Sequence, residues 1–178
     1  KKINENDLKK ITVLIQNSTK PVIICGAGVK NSKTQDQLIL LSKNLNIPIV
    51  SSAGHGDVIS FDCELYGGQM GPRGNKVASS LVKDSDLILA IGTRLGFNST
   101  FYSYENISKL AKIVQVDIDP IAIGRYFPVE VGIQNDAKIF LDQLIPLLKN
   151  VSLKNANQNW VENFLKEKAH YYKKRDQD

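Results

Sequence analysis

The sequence predicts an α/β protein with a doubly wound, mostly parallel sheet of five or six strands and helices on both faces. Three observations predict it. Segments of strand character alternate with segments of helical spacing, which requires crossover connections and therefore parallel strands. The strand-like runs, such as Leu87-Ile88-Leu89-Ala90-Ile91, lack polar alternation, as expected where helices cover both faces of a sheet. Glycines and acidic residues gather where those runs end.

The elements follow in order. Ile3, Leu8, Ile11, Leu14 and Ile15 stand near helical spacing, so residues 3–17 read as a helix. Pro21-Val22-Ile23-Ile24-Cys25 reads as a buried strand, broken by Gly26-Ala27-Gly28. A helix is expected around residues 33–45, with Leu38, Leu41 and Leu45 on one face. Pro48-Ile49-Val50 is a second strand ending in the small-residue loop Ser51-Ser52-Ala53-Gly54-His55-Gly56. A second glycine-rich stretch, Gly67-Gly68-Gln69-Met70-Gly71-Pro72-Arg73-Gly74, precedes a helix around 75–83. Residues 86–91 form a third strand closed by Gly92, residues 112–118 a fourth, and residues 128–133 a shorter fifth. A helix from Asp136 to about Lys149 carries Ile139, Phe140, Leu144, Leu147 and Leu148. After the polar stretch Asn155-Ala156-Asn157-Gln158-Asn159, an amphipathic helix groups Trp160, Val161, Phe164 and Leu165. That helix either packs on its own domain or leads into a following one. The expected division is an N-terminal helix and linker over 1–19, a central domain over 20–149 and a helical linker over 150–178.

The chain has 178 residues, the length of one domain, and can bury enough surface to fold without a disulfide or metal. Its 42% apolar and 23% charged residues argue against disorder. No run approaches the ~18 apolar residues of a membrane span. Lys1-Lys2-Ile3-Asn4 carries charge without the apolar core of a signal peptide, and the absence of an initiating Met points to a piece of something longer. The net charge of +5 invites a nucleic-acid reading, but residues 21–149 hold twelve bases and twelve acids. The excess sits in the two terminal segments, not on one concentrated basic face, so nucleic acid and membrane are not expected partners. Cys25 and Cys63 lack neighbouring metal ligands, and Cys25 reads as a buried inert thiol. The expected compartment is a reducing cytoplasm.

In open parallel sheets, ligands sit beyond the carboxyl ends of the strands. Gly26-Ala27-Gly28 allows close backbone approach there, and a following helix can aim free N–H groups at an anion, though strand–helix turns often need glycine anyway. The full dinucleotide fingerprint is absent: Asn31 holds the third glycine position, and Ser51-Ser52 stands where a ribose-binding acid is usual, which weakens a dehydrogenase reading. Arg94, after the third strand, suits a phosphate or the face of a base, and is otherwise a surface arginine. Asp117 and Asp119, after the fourth strand, suit ribose hydroxyls or an adenine amino group. Asp119 also suits the cap of a short helix starting at Pro120, and Asp136 the dipole of the next helix. His55 reads as a solvated loop residue with no acid or base partner, and His170 as exposed. Ser51-Ser52 has no nucleophile elbow around it.

The ordered set Gly26-Ala27-Gly28, Ile47-Pro48-Ile49-Val50, Gly67-Gly68-Gln69-Met70-Gly71, Ala90-Ile91-Gly92-Thr93-Arg94-Leu95, Gln115-Val116-Asp117-Ile118-Asp119-Pro120 and Asn135-Asp136-Ala137-Lys138 resembles the central domain of thiamine diphosphate-dependent enzymes. That group includes acetolactate synthase, pyruvate oxidase, oxalyl-CoA decarboxylase and sulfoacetaldehyde acetyltransferase. The likeness covers roughly residues 20–149. The run from Gly92 to Leu95 with Phe97, Ser99 and Thr100 is most similar to the sulfoacetaldehyde acetyltransferase branch. The resemblance implies a Rossmann-like (DHS-like NAD/FAD-binding) fold, with a pyrimidine-binding domain before it and a diphosphate-binding domain after it. Thiamine diphosphate and Mg²⁺ would lie between those two, in a homodimer or homotetramer. The catalytic Glu and the Gly-Asp-Gly…Asn motif belong to the flanking domains, and neither occurs here; Gly54-His55-Gly56-Asp57 has the wrong order. No catalytic or metal-binding residue is therefore expected in this chain.

By position, Gly26, Ala27, Gly28, Arg94, Asp117, Asp119 and Asp136 match the nucleotide-contacting motifs of the family, and Gly71 lies in a loop that borders the flavin in acetolactate synthases. FAD, an ADP-type ligand and no ligand all stay open. Two departures bear on this: Asn135 replaces a usual Gly before Asp136, and Leu95-Gly96-Phe97-Asn98 lacks the charged pattern of the flavin-binding members. Two other functions remain beside the central-domain reading: a free-standing nucleotide-binding or electron-transfer module, and a pure scaffold between neighbouring domains.

Overall fold

Alternating helices and apolar runs close into one parallel sheet in the computed structural model, which describes residues 2–153 and 156–175. Asn4 caps the first helix, α1 (Glu5–Asn17), by accepting from the Asn6 N–H at 2.8 Å. β1 (Pro21–Cys25) leads through Gly26 into a short helix, α2 (Ala27–Asn31), and then α3 (Gln35–Leu45). β2 (Ile49–Ser51) and β3 (Tyr66–Gln69) precede α4 (Lys76–Asp84) and β4 (Leu87–Ile91). A single turn, α5 (Phe97–Thr100), lies before β5 (Lys112–Asp117) and β6 (Val131–Gln134). α6 (Ala137–Leu144) tightens into a 3₁₀ turn over Ile145–Leu148, and α7 (Gln158–Arg175) ends the described chain. The start of the predicted polar linker, at Asn155, lies outside the described residues.

The six strands run in the order β3-β2-β1-β4-β5-β6, and every pairing is parallel. Side chains alternate across it. Ile23, Cys25, Leu89 and Ile91 point into a core with Ile11, Ile15, Leu38, Leu41, Phe140 and Leu144 from α1, α3 and α6. Val22, Ile24, Ile88 and Ala90 point into a second core with Val77, Leu81 and Val82 of α4 and Val161 and Phe164 of α7. Both faces are covered, which is why the strands read as unbroken apolar runs.

The sequence expectation departs from the structure at four places. Tyr66–Gln69 is a strand, making the sheet six-stranded. Two glycines hid it, yet Gly67 is where a side chain would press on Leu81 Cδ1 at 2.9 Å and Phe164 Cε2 at 3.3 Å. Residues 27–31 are helical, and the helix expected over 33–45 starts later, at Gln35, because Lys33 takes a left-handed φ of 54° that separates α2 from α3. The short α5 was not anticipated. The helix expected at Pro120 does not form; Asp119 accepts from the Ile121 N–H at 3.0 Å and closes a turn instead.

The last helix packs on its own sheet. Besides burying Val161 and Phe164, α7 donates from Trp160 Nε1 to the Pro21 carbonyl at 3.0 Å and from Lys168 Nζ to the Glu64 carbonyl at 2.8 Å. Burial pushes the Lys168 ammonium below its ordinary pKa. No described helix is long and apolar enough to cross a membrane.

Candidate functional site

The chain reverses direction across the sheet between β1 and β4, and a crevice opens there at the carboxyl ends of the strands. It encloses about 500 Å³, within the roughly 300–1,000 Å³ common for ligand sites. Ala27 and Gly28 form one wall, Gly92, Thr93 and Arg94 another, with Asp117 and Ile118 at the tip of β5 and His55 and Phe97 at the rim. A larger groove of about 820 Å³ lies at the opposite end of the sheet, where Thr19, Asp86 and Trp160 meet. It faces the amino ends of the strands, away from every candidate nucleotide-contacting residue named in the sequence.

The glycine seam sets the floor. The Gly28 N–H donates to the Gly92 carbonyl at 3.1 Å, and the Gly92 N–H to the Val116 carbonyl at 2.8 Å. A Cβ on Gly28 would stand 2.5 Å from Gly92 Cα, and one on Gly92 would stand 2.6 Å from Gly28 Cα. Gly26 is closed in by Gly92, Thr93 and Ser52. These glycines let two backbone segments meet. The expected free N–H groups are partly engaged: α2 has five residues, and the Val29 N–H bonds to the Gly26 carbonyl at 3.1 Å.

Gln115, buried on β5, holds the two loops that carry the charged residues. Its Nε2 donates to the Thr93 carbonyl at 3.1 Å and to the Ala122 carbonyl at 3.2 Å, while its Oε1 accepts from the Gly124 N–H at 2.8 Å. Arg94 stands 70% exposed, with Nη2 3.7 Å from Asp119 Oδ2. Asp117 is 8% exposed, and its Oδ1 accepts from the Asp119 N–H at 2.9 Å.

Ala27, Gly28, Arg94 and Asp117 thus share one crevice, Gly26 lies behind its floor, and Asp119 joins through Arg94. Gly71 and Asp136 stand off it. Gly71, at φ 113°, packs against Asn98 and Ser99 behind the rim. Asp136 caps α6, accepting from the Lys138 N–H at 2.7 Å and from Ser32 Oγ at 2.6 Å. His55 reaches the crevice rim, while His170 is exposed on α7.

Three features escaped the sequence reading. Ser99 Oγ accepts from the Ala53 N–H at 2.9 Å and ties the β2 loop to α5. Lys30 pairs with Asp57 beside the crevice, holding that carboxyl below its usual range by hydrogen bond and charge. Exposed Phe97 stacks on Phe101 with ring centres 4.8 Å apart, and Tyr102 on Tyr126 at 4.3 Å, forming an aromatic rim. The aromatic residues from Phe97 to Tyr104 were the available signal for that rim. Cys25 lies under the floor with no exposed surface, and burial pushes its thiol up to about 12.

Among the described residues, no group of three or more His, Cys, Asp or Glu side chains could hold a metal ion. Asp57, in the loop that superficially suggests a diphosphate motif, is engaged by Lys30. The residues present do not fit a thiamine diphosphate–Mg²⁺ site.

A doubly wound, all-parallel six-stranded sheet covered by helices on both faces, with a crevice at its switch point, defines a Rossmann-like α/β domain. Residues 8–144 match the family model described as "thiamine pyrophosphate enzyme, central domain", and the chain belongs to that family. It is 32% identical over 164 residues to a probable acetolactate synthase large subunit of Methanococcus aeolicus, covering 88% of this chain and 27% of the relative. It is 31% identical over 160 residues to the acetolactate synthase large subunit of Haemophilus influenzae, covering 88% and 28%. Against the sulfoacetaldehyde acetyltransferase of Roseovarius nubinhibens it is 36% identical over 136 residues, covering 75% and 23%. The chain spans about a quarter of the length of these curated relatives.

Proposed function

We propose that this chain is the central domain of a longer, cytoplasmic, homo-oligomeric thiamine diphosphate-dependent enzyme of the acetolactate synthase kind: a carboligase, acetyltransferase or decarboxylase. The observation that carries the reading is the family match over residues 8–144, joined to relatives about four times as long. In this reading the flanking domains of the same polypeptide hold thiamine diphosphate and Mg²⁺ and perform the carbon chemistry. This domain supports them and offers an adenine-nucleotide crevice for FAD or ADP. Asp117 and Asp119 accept from ribose hydroxyls or an adenine amino group, Arg94 faces a phosphate or a base, and Gly26, Ala27 and Gly28 bring backbone close. Gly71 packs behind the rim at Asn98 and Ser99, and Asp136 holds Ser32 at the end of α2.

The test uses the longer polypeptide, assayed for acetolactate formation and for acetyl transfer from sulfoacetaldehyde, with and without thiamine diphosphate and Mg²⁺. Cofactor-dependent turnover by the long form, and none by the 178-residue chain, is expected. Turnover by the 178-residue chain alone would overturn the division of labour, as would a coding sequence that starts and stops at its two ends. Calorimetry with FAD, ADP and NAD tests the crevice. The engaged N–H groups of Gly28 and Val29 favour a second reading, a purely supporting domain. That reading wins if none of the three gives heat at high micromolar concentration.

A further inference from the structure

The crevice is poorly equipped for a diphosphate and well equipped for a nucleoside. An anion is usually held by unengaged backbone N–H groups at a helix start or by paired cations. Here α2 has only five residues, and its Gly28 and Val29 N–H groups already bond to carbonyl oxygens. The titratable groups facing the crevice are His55, Arg94 and Asp117. Arg94, its one guanidinium, points largely into solvent and leans towards Asp119. Lys30, on α2, is engaged by Asp57. A diphosphate would therefore meet the Asp117 carboxylate and one guanidinium that is shared with Asp119.

The same walls suit uncharged chemistry. Asp117 is more than nine-tenths buried and lines the crevice, and while its Oδ1 accepts from the Asp119 N–H, its Oδ2 has no hydrogen-bond partner among the described residues. Asp117 Oδ2 is not among the fully buried unpartnered oxygens of the described residues, so it is open at the crevice, where hydroxyls or an amino group can donate to it without adding negative charge. Phe97, 52% exposed, and Ile118, 72% exposed, border the crevice and offer apolar surface to a planar ring.

We infer that the crevice recognises the uncharged nucleoside part of its ligand, ribose and base, and gains no affinity from a diphosphate. The inference rests on the nucleotide-crevice reading above and names the part of the ligand that binds. The test is calorimetric titration of the 178-residue chain with adenosine, ADP and FAD at pH 8, in about 50 and about 300 mM salt. Adenosine is expected to bind at least as tightly as ADP at low salt, and the deficit of ADP to shrink at high salt as repulsion is screened. Asp117→Asn, confirmed folded by circular dichroism, is expected to weaken adenosine at least tenfold and to leave ADP less affected. The wild-type ligand series decides the matter even if that variant fails to fold. ADP or FAD binding more than threefold tighter than adenosine would overturn this inference and leave the nucleotide reading intact. Absence of binding by all three at millimolar concentration would remove both.

Discussion

Replacing Gly92 by alanine should unfasten the crevice floor. Gly92 holds φ at +62°, and a new Cβ would stand 2.6 Å from Gly28 Cα and 2.9 Å from the Val29 nitrogen. A left-handed alanine costs about 1–2 kcal/mol. Relieving the overlap means moving backbone, because no flexible side chain stands in the way, and overpacking of this kind costs about 1–3 kcal/mol. Moving Gly28 from Gly92 also stretches the 3.1 Å bond between them, a loss of about 1 kcal/mol. We expect Gly92→Ala to destabilise the chain by about 3–6 kcal/mol, read by urea denaturation followed by circular dichroism with linear extrapolation. Gly28→Ala, with its 2.5 Å approach to Gly92 Cα and no left-handed backbone, should cost somewhat less. Two glycines near the crevice serve as controls. Gly54 is left-handed but a Cβ there meets nothing within 4 Å, so alanine should cost about 1–2 kcal/mol. Gly96 is extended with equally open space, and alanine should stay within about 0.5 kcal/mol of wild type. If Gly92→Ala and Gly96→Ala unfolded at the same urea concentration, the tight-seam argument would be wrong.

Other consequences follow from the packing and the charges. Asp86 accepts from the Thr19 N–H at 2.9 Å, Thr19 Oγ1 at 3.0 Å and the Lys20 N–H at 3.0 Å, and also from Ser18 Oγ. Burial raises its pKa, but the donors outweigh it and hold the carboxyl below its ordinary value of 3.8. Its contribution is therefore complete above that value and disappears as pH falls through the lower folded value. Because the site is partly solvated, Asp86→Ala should cost only about 1–2 kcal/mol at pH 7 and progressively less below about pH 4, measured by denaturation across pH. Phe164→Ala leaves a hole against Gly67 and Leu81 and should cost about 3–5 kcal/mol, with a shift in Trp160 emission if α7 lifts away. Fast thiol labelling of the native chain would contradict the burial of Cys25 and Cys63, which should both react only on unfolding.

The fold class was legible because its cause is local. Runs such as Pro21–Cys25 and Leu87–Ile91 carry their two-sided burial in composition, and the faces of α1, α3 and α6 carry theirs in spacing. Elements whose reason lies elsewhere in space were missed. Gly67 sits in a strand because Phe164, far along the chain, needs the room, and two glycines in a row otherwise signal a loop. The four-residue α5 has too few residues to show a period.

The candidate site divides along the same line. Residue types at strand ends placed Ala27, Gly28, Arg94 and Asp117 in one crevice before any coordinates, since parallel strands must bring their carboxyl ends to one edge. Sequence alone determined the parallel α/β class, five of the six strands and the edge where their carboxyl ends gather. Only tertiary structure decided that the Gly28 N–H is engaged by Gly92, that Arg94 leans on Asp119, that Gln115 holds two loops together, and that Asp136 serves as a helix cap rather than a crevice wall. The physical reason is that a hydrogen-bond donor or a charge is defined by the partner that reaches it first, and these partners lie on other strands and loops.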